Sequence, residues 1–225
     1  MSNYILLSHI LNVATPSYGN RDKLIIKQPF RIVDGKSANS SKWIFTNNHL
    51  GTHIDMPYHF FQNGKTITDY SPEKWFFHNI QVINIPCNHA KLLNYNDFDC
   101  KINSETDFLL IKTGYGKYRN TDKYLNDNPG ISPLFGLWLR ENYKNIRAVG
   151  FDFISLTSWK FRDIGKEAHR AFLDPYGKNF PIWIIEDMKL THLKEDIKKI
   201  IVAPLLVEKS NGSPVTIFGY LNDSE

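Results

Sequence analysis

"FLLIKTG" (108–114), "SPLFGLWLRENYKN" (132–145) and "IRAVGFDF" (146–153) decide the fold class. The first and last are compact apolar runs ending in Gly or turn residues, as parallel strands buried on both faces do. Between them, Ser132 offers an N-cap hydroxyl, and Pro133 suits the first helical position, where no backbone N–H is needed. Leu134, Leu137, Trp138 and Glu141 follow at helical spacing, with Glu141 at the polar edge. Strand, loop, helix and strand in that order make a βαβ unit, since parallel neighbours need a long crossover.

Outward from this unit, short β-rich runs dominate. "YILLSHI" (4–10), "KLIIKQPFRIV" (23–33) and "KWIFTNNH" (42–49) precede it, with "IQVINIP" (80–86) closer by. "IGKEAHRAFL" (164–173) reads as a second helix and "PIWIIED" (181–187) as another buried strand. "TIFGYL" (216–221), after the turn-rich "KSNGSP", closes a hairpin that begins near "IIVAPLLV". Mixed strands with few helices, no repeat and no low-complexity linker predict one α/β domain of layered mixed sheet over 1–225.

Composition narrows the function classes. A chain of 225 residues that is 42% hydrophobic can build one sizeable core. Charge is nearly balanced at +4, and the lysines are scattered; "KEDIKK" (194–199) reads as a solvated helix face. No nucleic-acid partner is expected. No run approaches the ~20 apolar residues of a membrane span. The N-terminus lacks a basic region and a small-residue cleavage pattern. Cys87 and Cys100 match no zinc or redox spacing. A disulfide between them is possible in principle, but a reduced pair in a cytoplasmic protein is the default expectation.

The chemistry concentrates in "HLGTHIDMPYH" (49–59), which holds three of the eight histidines. His49, His53, Asp55 and His59 all occupy odd positions. On an extended backbone such residues share one face, and Gly51, Thr52 and Pro57 disfavour a helix. The expectation is a strand end or extended loop, with Pro57 opening a helical turn. Two imidazoles converging with a carboxylate suit Zn²⁺ or Mn²⁺. A polar turn whose histidines bond to backbone is the competing reading.

This segment resembles the signature of the cyclase/kynurenine formamidase-like family, His-x-Gly-Thr-His-x-Asp-x-Pro-x-His, with every fixed position present. The resemblance runs along nearly the whole chain. "LLSHILNVATPSYGN", "FLLIKTGYGKY", "NPGISP", "AVGFDFISL", "EAHRAFL", "WIIEDMKL" and "APLLVEKSNGSPV" are each similar to a family segment. It implies a swivelling β/β/α cyclase-like fold and a centre of one or two divalent ions, zinc or manganese. His49, His53 and Asp55 would hold the first ion. His169 and Glu186 would complete a second, with Asp55 bridging, and His59 would be the acid/base catalyst. The substrate would be a small molecule and the assembly a homodimer or homotetramer.

Residue chemistry is compatible with each role. A metal-bound water reaches a pKa of about 7 and supplies hydroxide at neutral pH. His59, with an ordinary pKa of about 6.5, can take a proton and return it to a leaving nitrogen. The implied activity is hydrolysis of a formamide, amide or lactam C–N bond, as in kynurenine formamidases and isatin hydrolases. A metal-assisted cyclase or dehydratase of secondary metabolism is the alternative, and a non-catalytic metal-binding scaffold a third. Departures from the family pattern lie outside the implied ligands. Tyr18-Gly19-Asn20 replaces an aromatic-Pro-Gly-Asp run, Leu6 stands where an Asp is usual, and the span from His169 to Glu186 is longer. They bear on substrate identity. Trp43, Phe60, Phe61, Trp159 and Phe161 flank the motif segments and read first as core. Asp152 and Ser155 read equally as site residues at a strand end or as turn residues. His9, His78, His89 and His192 are isolated.

Overall fold

The structure is a computed structural model that describes residues 3–33, 35, 38–98, 102–193 and 196–221. Cys100, with the Cys87–Cys100 pairing, lies outside the described residues, as do Lys194 and Glu195; Cys87 is a buried free thiol. The strands in chain order are β1 (Tyr4–Leu6), β2 (Leu24–Phe30), β3 (Ser40–Phe45), β4 (His53–Asp55), β5 (Phe76–Phe77), β6 (Ile80–Asn84) and β7 (Leu92–Leu93). They continue with β8 (Phe108–Lys112), β9 (Gly130–Ile131), β10 (Ala148–Phe151), β11 (Trp183–Glu186), β12 (Ile197–Pro204) and β13 (Gly212–Leu221). The α-helices are α1 (Asp122–Asn126), α2 (Pro133–Asn142) and α3 (Arg162–Leu173).

One mixed sheet dominates, in the order β5-β12-β13-β4-β11-β10-β8-β6, with β1 added antiparallel to β13. The run β6-β8-β10-β11 is parallel, and the βαβ unit is its centre. The other half is antiparallel. Alternation along the parallel strands feeds two cores. Leu109, Ile111, Val149, Phe151 and Ile184 face α2 and α3. Phe108, Leu110, Ala148, Trp183 and Ile185 face the opposite way, onto Ile200, Val202 and Ile217 of the antiparallel half. The sheet therefore curls around this second core while helices cover the first, giving layers of sheet, sheet and helix. No described helix is long and apolar enough to cross a membrane.

Three local expectations are corrected. The helix α2 starts as anticipated, with the Ser132 hydroxyl accepting from Leu134 N, but it buries a different face. Leu134 and Leu137 are more than half exposed, and Phe135, Gly136, Leu139 and Arg140 are buried. Gly136 decides this: a Cβ there would lie 2.6 Å from the Phe172 ring, so only glycine lets α2 approach α3 this closely. Arg140 then reaches the end of α3, donating to Ala171 O and Asp174 O. The described part of "KEDIKK", Asp196 to Lys199, forms no helix; Ile197, Lys198 and Lys199 open β12. The first and third β-rich runs are shorter than read, ending at Leu6 and Phe45.

His78, His89 and His192 are exposed. His9 differs: its Nε2 is buried and has no hydrogen-bond partner among the described residues. Burial pushes its pKa down to about 4, against a raising effect of Asp187 and lowering effects of Arg119 and Lys189. The unfolded chain therefore binds a proton near pH 6.5 that the folded chain refuses until about pH 4. Stability is expected to fall as pH drops through that window. His59 acts in the same sense, so the test is the comparison of wild type with His9→Leu by urea unfolding from pH 7 to pH 4. The variant should lose less stability across the window; equal losses would rule His9 out as a source.

Candidate metal centre

β4 carries His53 and Asp55 on one face, as alternation dictates, and pairs with β11 on one side and β13 on the other. The extended reading of the whole motif fails beyond these three residues. Gly51 turns the chain at φ +66, in the left-handed region, and a Cβ there would lie 2.6 Å from Leu11 Cδ2. Pro57 opens a 3₁₀ turn over Pro57–His59, as expected of it. His49 and His59 are thus delivered by turns at either end of the strand. Their rings still meet, with centroids 4.1 Å apart. Close approach on the other side depends on Gly212, where a Cβ would lie 2.5 Å from Ile54 O and 2.7 Å from His49 Cε1.

The distant residues arrive on the helix-side frame. Glu186 ends β11, directly opposite His53 in the register. His169 sits on α3, whose polar residues project outward while its site-facing side is buried. His53, Asp55, His169 and Glu186 are all at least 94% buried. His53 Nε2 lies 3.6 Å from Asp55 Oδ1 and 3.4 Å from Glu186 Oε2. His169 Nε2 lies 3.4 Å from Asp55 Oδ2 and 3.6 Å from Glu186 Oε1. All six residues read from the sequence therefore meet in one place.

Tautomers decide whether this set fits a cation. The Nδ1–H of His53 donates to Gly51 O, and that of His169 to Gly165 O, each at 2.8 Å. A neutral ring at either position would aim an Nε2 lone pair at carboxylate oxygens. Lone pairs facing carboxylates repel unless positive charge lies between them, and backbone-fixed imidazoles are a common metal-site arrangement. The same demand shows in the titration. Burial alone would lower the His169 pKa, but hydrogen bonds to Asp55 and Glu186 outweigh it and push it up to about 10. Burial would raise that of Asp55, yet His49, His59 and His169 hold it well below the usual carboxylate range. His49 donates through Nδ1 to Asp55 Oδ1 at 2.7 Å, so it would exchange that proton for an ion. The residues present fit a divalent cation. Two donor triads among the described residues share Asp55: His49, Asp55 and His59, and His53, Asp55 and Glu186.

The outer partners were only partly legible. Glu186 Oε1 accepts from Ser155 Oγ at 3.1 Å and Leu156 N at 2.7 Å. Ser155 is thus a site residue. Asp152 is structural, accepting from Thr113 and Gly114 backbone N–H groups. Asn211 was missed: its Oδ1 accepts from His49 Nε2 at 3.2 Å, and its Nδ2 donates to His59 Nδ1 at 3.3 Å. No local pattern marks it, because it comes from the turn before β13. Phe60 stacks on the His169 ring at 5.0 Å, while Trp43 stands 65% exposed away from the site. Burial holds His59 down to about 4, with Asp55 opposing, so the ring is neutral at neutral pH.

These groups open into a cavity of about 310 Å³, lined also by Tyr18, Arg21, Thr157 and Ile154. Its size suits a small molecule. The Tyr18 hydroxyl is buried without a hydrogen-bond partner among the described residues.

Known proteins share this architecture. Isatin hydrolase A from Ralstonia solanacearum superposes with a TM-score of 0.77 at 17% identity, covering 97% of this chain and 92% of its own. Isatin hydrolase A from Labrenzia aggregata, bound to benzyl benzoate, gives 0.77 at 18%, covering 98% and 94%. These likenesses establish the fold. In sequence, a kynurenine formamidase of Bacillus cytotoxicus is 25% identical over 175 residues, 74% of this chain and 73% of the relative. A Haemophilus influenzae protein is 32% identical over 111 residues, 47% of this chain and 78% of the relative. The family described as "Putative cyclase" matches residues 5–158, a span that holds β4, both flanking turns and the Ser155-Leu156 support of Glu186. With that match over most of its length and the fold agreeing, the chain belongs to the cyclase family.

Proposed function

We propose that the chain, read as one cytoplasmic domain over 1–225, hydrolyses the C–N bond of a small formamide, amide or lactam with a divalent metal. The observation that carries this reading is the pair of backbone-fixed imidazoles, His53 and His169, facing the buried Asp55 and Glu186 beside a neutral His59. The kynurenine formamidase and isatin hydrolase likenesses support the bond class. His49, His53 and Asp55 would hold one ion, and His169 and Glu186 a second with Asp55 shared. Imidazole favours zinc, and the carboxylates admit manganese. When bound, such an ion polarises a carbonyl and acidifies water.

The chain's own residues do the rest. His59 is held at Nδ1 by Asn211, so Nε2 is the atom that exchanges a proton with the reactants. Base action at Nε2 needs the tautomer with its N–H on Nδ1: Nε2 gives its proton to solvent, Nδ1 takes one up, and the Asn211 amide turns over to accept it, giving up the bonds its oxygen takes from Asn48 and His49. His59 takes a proton from the attacking water and returns it to the departing nitrogen. Phe60 and Ile154 form apolar wall against which a flat substrate can lie. A homodimer or homotetramer is the expected assembly.

Purified protein is expected to contain divalent metal and to hydrolyse an N-formyl arylamine or isatin. Chelation should abolish turnover, and zinc or manganese should restore it. Metal-replete protein that leaves formamides, amides and lactams intact would overturn the reading.

A further inference from the structure

Glu186 ends β11, and Asp187 turns the chain directly after it. Asp187 sits at φ +52, in the left-handed region that favours glycine, yet it is a charged residue with no exposed surface. Its carboxylate is fully engaged. Arg119, in the turn after β8, donates from Nε to Oδ1 at 2.9 Å and from Nη2 to Oδ2 at 2.7 Å. The Tyr124 hydroxyl of α1 donates to Oδ1 at 2.5 Å. A bidentate fork of this kind fixes a carboxylate in both place and orientation. It is a weak device for stability alone, because desolvating two charges offsets most of their attraction.

The backbone of Asp187 is tied on both sides. Its N–H donates to Phe153 O at 3.0 Å, and its C=O accepts from the Thr52 hydroxyl at 2.6 Å. Phe153 leads into Ser155 and Leu156, the two residues that donate to Glu186 Oε1. Thr52 immediately precedes His53, and its Oγ1 accepts in turn from the backbone N–H of His9 at 2.9 Å. One residue thus joins the strand end that carries Glu186, the strand start that carries His53 and the loop that orients the Glu186 carboxylate. His53 Nε2 and Glu186 Oε2 face each other across this join at 3.4 Å. Thr52, Arg119, Tyr124 and Asp187 do not line the cavity, so their reach into the site runs through these neighbours.

We propose that Asp187, clamped by Arg119 and Tyr124, is a positioning residue that sets the spacing of His53 and Glu186 and with it the cluster's affinity for a divalent cation. This rests on the metal reading above and deepens it. A loosened clamp leaves every donor side chain present and lets their spacing drift. Partners that orient donors in this way are worth roughly 10–100-fold in metal affinity. The turn alone does not account for Asp187, since glycine adopts φ +52 with less strain. What aspartate adds there is a carboxylate for Arg119 to hold.

Zinc titration of metal-stripped protein against a chromophoric chelator tests it, with the visible spectrum of cobalt(II)-loaded protein as a report on donor geometry. Asp187→Gly and Arg119→Met should each bind zinc roughly 10–100-fold more weakly than wild type and shift the cobalt spectrum. Arg119→Lys keeps the charge but not the fork, and should fall between. Urea unfolding of the metal-free proteins separates this from lost stability, which by itself leaves the zinc affinity and cobalt spectrum of folded protein unchanged. Folded Asp187→Gly and Arg119→Met with wild-type affinity and spectrum would overturn the positioning role and leave the metal reading standing. Wild type that binds no zinc would overturn this inference, and the metal reading with it if manganese is refused as well. Should either variant fail to fold, Arg119→Lys decides: weaker zinc binding with a shifted spectrum supports the role, and wild-type values overturn it.

Discussion

Asp55→Asn is expected to strip divalent metal from the purified protein and to cut amide hydrolysis by about a thousandfold or more. Asp55 stands at the middle of the cluster, with His49, His53 and His169 each within 3.6 Å of one of its oxygens. Asparagine keeps the shape and so should preserve β4. It removes the negative charge and turns one ligand oxygen into an N–H donor facing imidazole nitrogens. Metal polarisation of a carbonyl is worth several kcal/mol, and each 1.36 kcal/mol is a decade in rate, so three decades is the scale of the loss. Metal analysis alongside kcat/KM measures both effects. Full metal occupancy in the variant would remove Asp55 from the ligand set, whatever happened to the rate.

His59→Gln separates two roles that proximity alone leaves joined. With His59 as the proton carrier, kcat should fall by roughly 10²–10⁴ while metal content holds. Its ring instead stands close enough to His49 and Asp55 for all three donor atoms to lie within 4.8 Å of one another, a ligand-like grouping. Loss of metal along with activity would therefore make His59 a ligand and reassign proton transfer. Asn211→Ala should weaken the same step to a smaller extent, because Asn211 acts on it through the His59 and His49 rings that it holds.

Much of the architecture was legible because its signals are local. The parallel strands announce themselves as apolar runs, since both of their faces are buried in separate cores. Ser132 and Pro133 announce the start of α2. Its buried face did not follow, because Leu134, Phe135, Leu137, Trp138 and Leu139 are apolar almost all the way round. Contact between Gly136 and Phe172, which no spacing within the helix encodes, settled the orientation. The six site residues could be named from one motif and two matching segments, but their geometry could not. Alternation places only His53 and Asp55; the turns at Gly51 and Pro57 place the other two motif histidines. Asn211, Ser155 and Leu156 are supplied by chain brought in from elsewhere. The β2–β3 hairpin was readable as two β-rich runs, whereas its exposure depends on how the rest of the chain packs without it.

β4 is only three residues long, yet it is hydrogen-bonded on both edges and joins the parallel half of the sheet to the antiparallel half. The His53–Asp55 pair thus sits on a seam. An excised peptide spanning 49–59 would keep four donor side chains and lose the arrangement, because both edges of its strand would be bare. Chemistry here is a property of the join between two half-sheets, so neither half taken alone is a smaller version of the enzyme.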